Sequence, residues 1–110
     1  GVTKDPVFGH ILMFGLGGVY TELFKDVSFR IAPLSLREAR EMITETKAYA
    51  LLRGFRGEPP ADINALVNVL LRVSKLITDI PQIVEMDINP LFVYEEGVGV
   101  IAVDVRVIIE

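Results

Sequence analysis

Two β-rich runs at the end of the chain constrain its fold more than any other feature. Ile83 to Tyr94 and Val100 to Ile109 are dominated by apolar residues, and Glu95-Glu96-Gly97-Val98 between them carries turn chemistry. Extended runs joined by a short Gly-containing turn predict a terminal β-hairpin. If Tyr94 pairs with Gly99 around a four-residue loop, Asn89 falls directly opposite Asp104 and Asp87 directly opposite Arg106. Residues two apart on a strand share a face, so Asp87 and Asn89 point one way, as do Asp104 and Arg106. Directly paired side chains have Cβ atoms about 5 Å apart. A one-residue slip would undo the arrangement.

Upstream, His10 to Phe14, Val19 to Phe24 and Val27 to Ala32 read as three short strands of an antiparallel meander. In the last of them Val27, Phe29 and Ile31 alternate with Ser28 and Arg30, the period of a half-buried strand. Pro33 ends that run, and Ser35-Leu36-Arg37-Glu38 matches a capping box. Leu36, Ala39, Ile43 and Ala50 predict a helix over about 36–52, with Thr46 and Lys47 as a candidate break and Gly54 as a stop. Asp62 can cap a second helix, whose apolar stripe is Ile63, Leu66, Val67, Leu70, Val73 and Ile77, with Pro81 just past its end. The expected fold class is α+β: a mostly antiparallel sheet with helices on one face.

Composition excludes several classes of function. With 51% hydrophobic and 24% charged residues, the 110-residue chain is globular rather than disordered. The net charge of -4 comes without a basic patch, so no nucleic-acid partner is expected. The absence of cysteine removes disulfides, thiolate metal sites and Cys nucleophiles. No apolar run approaches the roughly 18 residues of a membrane span, and no signal peptide is visible, so a cytoplasmic protein is expected.

The hairpin holds the candidate chemistry. An Asn oxygen facing an Asp carboxylate can share a hard cation, and magnesium needs only one or two protein carboxylates beside waters and phosphate oxygens. Arg106 can meet a phosphate and Asp87 can orient a reacting group. The residues also admit plainer roles. Asp104 can be an edge charge that blocks aggregation, Asp87 and Arg106 an ordinary cross-strand ion pair, and Asn89 a turn residue before Pro90.

A resemblance bears on that choice. Glu85-Met86-Asp87-Ile88-Asn89-Pro90-Leu91, followed by Ala102-Val103-Asp104-Val105-Arg106, resembles the end of the ATP-grasp domain of succinyl-CoA synthetases and ADP-forming acyl-CoA synthetases. Asp5-Pro6-Val7-Phe8-Gly9, Phe14-Gly15-Leu16-Gly17-Gly18-Val19-Tyr20-Thr21-Glu22 and Leu52 to Asp62 resemble the ADP-forming acyl-CoA synthetases more than the succinate enzymes. The resemblance implies that Asn89 and Asp104 bind the magnesium of ATP or ADP. It also implies that Asp87 is a catalytic candidate, standing where the succinate enzymes carry a glutamate near a phosphorylated histidine. Glu22, Gly17, Gly18 and Arg106 are candidate nucleotide contacts.

Gly15-Leu16-Gly17-Gly18 lacks the spacing of either common phosphate loop, so a tight bend near the site is the favoured role. Arg30 and Arg56 can reach phosphate but read better as solvated, and His10 reads as structural rather than as the relay histidine.

The resemblance further implies that residues 1–110 are a C-terminal portion of an ATP-grasp domain. The N-terminal lobe and a CoA-binding alpha subunit or domain would be supplied elsewhere, in a hetero-oligomer. The parent would convert ATP, an organic acid such as acetate and CoA to acyl-CoA, ADP and phosphate through an acyl phosphate and a phosphohistidine. This portion alone would be inactive. Two other readings stay open: a synthetase-like region of a protein acetyltransferase, and a non-catalytic association module.

Overall fold

The computed structural model describes residues 1–15, 26–54 and 57–110. Among these, every strand pairing is antiparallel. The elements run β1 (Val2–Asp5), β2 (Gly9–Gly15), β3 (Val27–Ile31), α1 (Leu36–Thr44), α2 (Ala48–Leu52), α3 (Ile63–Asp79), β4 (Ile83–Ile88), β5 (Leu91–Val93), β6 (Val100–Ala102) and β7 (Val105–Ile109). Five strands form the main sheet in the order β3-β2-β1-β4-β7, and β5 pairs with β6 as a separate two-stranded ribbon. The helices cover one face of the main sheet, as the α+β reading expects.

Alternation along the strands decides which face that is. Val2, Leu12, Ile83 and Met86 bury against Met42 and Ile43 of α1 and Leu66, Leu70 and Ile77 of α3. Each such side chain contributes about 1.5–3 kcal/mol by leaving water. Their neighbours Thr3, Met13, Glu85 and Asp87 take the opposite side by the same period of two, which in β4 restarts after a register shift between Ile83 and Glu85. That face carries no helix among the described residues, and Met13 and Phe29 stay open there, 38% and 53% exposed.

Strand β1 was not expected. Its only fully buried side chain is Val2, too little to give a periodic signal. Its neighbours hold it: Val2 pairs with Leu12 on one edge and with Met86 on the other. The turn into β2 is closed by Asp5, whose Oδ1 accepts from the backbone N–H of Val7 at 2.8 Å and of Phe8 at 2.9 Å. The strand expected over Val19 to Phe24 lies outside the described residues. On the near side of that stretch, a Cβ on Gly15 would stand 2.5 Å from the Asp26 carbonyl oxygen and 2.7 Å from Val27 Cγ1. Only glycine permits β2 and β3 to close so tightly there.

The helix expected over 36–52 is two helices, divided at the anticipated break. The capping box at the first is complete: Glu38 N donates to Ser35 Oγ at 3.1 Å, and Ser35 N to Glu38 Oε1 at 3.0 Å. After Thr44 the chain leaves the helix. Thr46 Oγ1 donates back to the Ile43 carbonyl at 2.7 Å, while Lys47 N and Ala48 N donate to Asp26 at 2.6 and 2.9 Å. Amides committed to Asp26 cannot continue the α1 ladder, so a new helix starts. Asp62 caps α3 as expected, accepting from Ala65 N at 3.1 Å.

Arg30 spends its charge within this layer. Both of its terminal nitrogens donate to the Glu45 carboxylate, so it is paired rather than available to phosphate. The Arg30 guanidinium holds the Glu45 carboxyl below the usual glutamate range, and the Ser35 backbone N–H does the same for Glu38. A carboxylate lowered in the folded state stabilises the fold above its unfolded value of about 4.3, and that contribution is lost as pH falls through the folded value. We therefore expect the melting temperature to decline on acidification below about pH 4. A Glu38→Gln/Glu45→Gln variant should show a flatter decline, and an unaltered acid limb would contradict this assignment.

Candidate functional site

The β4–β7 ladder brings the hairpin residues into the expected register. Asp87 pairs with Arg106 and Ile88 with Val105. One step further, Asn89 N donates to the Asp104 carbonyl at 3.0 Å. Beyond it Val103 N donates to the Pro90 carbonyl at 3.0 Å, and the ribbon continues the same register through Leu91 opposite Ala102 and Val93 opposite Val100. Tyr94 N donates to the Gly99 carbonyl at 3.0 Å, which closes the four-residue turn. Asn89 therefore stands opposite Asp104.

The hairpin differs from expectation in one respect: it is not one continuous ladder. The Asn89–Pro90 bond is cis. Pro90 has no N–H to give, and here β4 leaves the main sheet and the ribbon begins. Asn89 and Asp104 thus sit at the hinge between two sheets, both exposed to solvent. In such a position a side-chain oxygen is free to meet a ligand instead of completing the core.

Asp87 and Arg106 are directly paired, yet they form no ion pair with each other among the described residues. Arg106 instead approaches Glu85, with Nη2 4.0 Å from Oε2, and its side chain is 70% exposed. A contact that long and that exposed holds the guanidinium only weakly. A shallow hollow of about 330 Å³ on the open face is lined by Thr3, Met13, Phe29, Glu85, Asp87 and Arg106, an apolar floor with charge along one side. Glu85 was overlooked as a candidate, although its spacing of two from Asp87 already placed it on the same face.

The donor set suits a hard, oxygen-seeking cation. Asn89 and Asp104 offer an amide oxygen and a carboxylate. Among the described residues no group of three or more His, Cys, Asp or Glu stands together. Zinc, with its preference for nitrogen and sulfur ligands, does not fit. Magnesium fits, because it keeps waters and takes phosphate oxygens.

His10 is structural, as expected: its Nε2 lies 2.6 Å from the Ile83 carbonyl, a distance at which the ring N–H donates and ties β2 to the start of β4. Glu22, Gly17, Gly18 and Arg56 lie outside the described residues. Two buried carboxylates escaped sequence reasoning in their full roles. The sequence does not single out Asp26 and marks Asp62 only as a cap, because their other partners are distant in sequence.

Comparison with known proteins agrees with the fold. A family profile described as an ATP-grasp domain matches residues 1–109. The beta subunit of ADP-forming acetate–CoA ligase II from Pyrococcus furiosus is 57% identical over 111 residues, covering 100% of this chain and 47% of that protein. ADP-forming acetate–CoA ligase I from Archaeoglobus fulgidus is 58% identical over 109 residues, 99% of this chain and 16% of that protein. The chain thus spans about half the length of the first relative and far less of the second.

Among solved structures, dinucleotide forming acetyl-coenzyme A synthetase 1 of Ca. Korarchaeum cryptofilum, in complex with coenzyme A and Mg-AMPPCP, superposes with a TM-score of 0.92 at 50% identity. That match covers 99% of this chain and 50% of the other. A Pyrococcus horikoshii Ot3 protein gives a TM-score of 0.92 at 53% identity, covering 99% of this chain and 46% of the other. Fold and sequence relationship converge: the chain belongs to the ATP-grasp domain family.

Proposed function

We propose that this chain is the magnesium-nucleotide portion of an ADP-forming acyl-CoA synthetase. The observation that carries the reading is the register that sets Asn89 opposite Asp104 at the hinge of the hairpin. Asn89 Oδ1 and an Asp104 carboxylate oxygen would hold magnesium. When bound, the ion neutralises charge on the phosphoryl group in transfer. Arg106, weakly held by Glu85, is free to turn toward a phosphate oxygen. Asp87, opposite Arg106 on the paired strand β4, orients the group that exchanges the phosphoryl. From the sequence alone, Glu22, Gly17 and Gly18 complete the nucleotide contacts.

Residues 1–110 are then the C-terminal portion of the ATP-grasp domain. Support comes from the match over about half of the Pyrococcus furiosus beta subunit. The preceding lobe and a CoA-binding subunit or domain complete the site in a hetero-oligomer. Its place is the cytoplasm, where adenine nucleotides and CoA are available. The substrate class is a small organic acid such as acetate, consistent with the names of the relatives.

The full-length protein, assembled with its CoA-binding subunit or domain and given ATP, magnesium, CoA and a panel of short carboxylic acids, should release ADP and phosphate in equal amount to the acyl-CoA formed. Formation of AMP and pyrophosphate would rule the reading out. So would transfer of an acetyl group from acetyl-CoA to a protein lysine without ADP formation.

A further inference from the structure

The ribbon that begins at Asn89 and returns at Asp104 is tied at its far end by a short backbone bridge between Ala61 and Glu95 and by one buried side chain. A two-stranded ribbon alone is marginal in water and twists easily, so its tilt has to be set from outside. On one side Leu91 and Val93 pack against the core. At the tip the contact is polar. Asp62, 8% exposed, donates its backbone N–H to the Tyr94 carbonyl at 2.7 Å. Its Oδ2 accepts from Gly97 N at 3.1 Å, while Oδ1 accepts from Ala65 N at the start of α3. Glu96 N donates to the Pro60 carbonyl at 2.9 Å beside it. One carboxylate therefore joins the ribbon tip to the first turn of α3, which is itself packed into the core.

We infer that Asp62 is a positioning residue for the divalent cation. It fixes the ribbon's tilt and through it the opening between Asn89 and Asp104. This inference rests on the proposed metal role of that pair. The tip is one three-residue strand from the hinge. Metal ligands tolerate errors of only about 0.2 Å, so a small change of tilt at the tip is felt at the base. Partners that hydrogen-bond a metal ligand directly alter affinity by roughly 10–100-fold when removed, and Asp62, which acts through the ribbon, should reach the lower end of that range.

The test uses the full-length protein. Asp62→Asn keeps an oxygen for the Ala65 cap and sets an amide N–H against the Gly97 N–H. The expected result is a magnesium requirement, measured by titrating magnesium at saturating ADP, that rises about tenfold. The larger part of the effect should lie in that requirement rather than in kcat. Asp62→Ser keeps the cap but cannot span to Gly97, and it carries the same expectation should the Asn variant fold poorly. A folded variant with a lower melting temperature and an unchanged magnesium requirement would overturn the inference and leave Asp62 a stabilising cap. Asp104→Ala, run alongside, separates the two claims. If it too leaves the magnesium requirement unchanged, the metal reading itself fails. If it raises the requirement while both Asp62 variants do not, only the positioning role falls.

Discussion

Replacing Asp104 by alanine in the full-length protein should lower ADP-forming turnover at least about a hundredfold, equivalent to about 3 kcal/mol of lost charge stabilisation. Asp104 supplies the only negative charge of the opposed pair, and Asn89 contributes a neutral oxygen. Asp104→Asn keeps an oxygen and removes the charge, so its loss should be intermediate. Because the Asp104 side chain is exposed, neither change should move the melting temperature by more than the usual surface substitution, within about 0.5 kcal/mol. The contrast separates this reading from the plainer one. Were Asp104 only an edge charge among Ala102, Val103 and Val105, its removal would reduce solubility and leave steady-state turnover intact. Steady-state kinetics across a magnesium series, with melting curves on the same samples, decides between them.

The second large effect concerns the scaffold. Asp26→Ala should destabilise the fold by about 3 kcal/mol, enough to lower the melting temperature by roughly 10 °C. Asp26 is 7% exposed, and its carboxylate accepts from Lys47 N at 2.6 Å and Ala48 N at 2.9 Å. Helix α2 has no side-chain cap of its own. The strand-side carboxylate therefore takes the place of a local N-cap and ties the entry of β3 to the helical layer. Truncation leaves one buried donor, Ala48 N, and one half-buried donor, Lys47 N, without an acceptor, the costly side of the hydrogen-bond balance. Asp26→Asn keeps one acceptor and should lose about half as much. Thermal melting of the three proteins measures this, and a shift of only a degree or two for Asp26→Ala would contradict the capping role.

What was legible in the sequence was local. The capping box at Ser35 and Glu38, the break near Thr46, the Asp62 cap and the Glu95 to Val98 turn depend on residues within a few positions of one another. The turn mattered most, because a four-residue loop sets the register of the strands on either side and so places Asn89 opposite Asp104. What escaped depends on distant partners. Strand β1 owes its place to β2 and β4, and Asp26 reaches a helix start 22 residues on. Asp62 joins a ribbon tip whose Gly97 is 35 residues away. None of these leaves a periodic trace. The split of the terminal hairpin at Pro90 could have been read from proline's missing N–H, but only with the sheet order in hand. Arg106 shows the limit of register alone: its backbone pairs with Asp87 while its guanidinium leans toward Glu85.

On the proposed reading, Asn89 and Asp104 share one divalent ion with the nucleotide. Anomalous diffraction from crystals of the full-length protein grown with ADP and manganese in place of magnesium tests it directly. The account predicts a single manganese peak about 2.1 Å from both Asn89 Oδ1 and an Asp104 carboxylate oxygen, with phosphate oxygens and water as its remaining ligands. A manganese ion bound by the diphosphate with neither side chain in its coordination shell would contradict it.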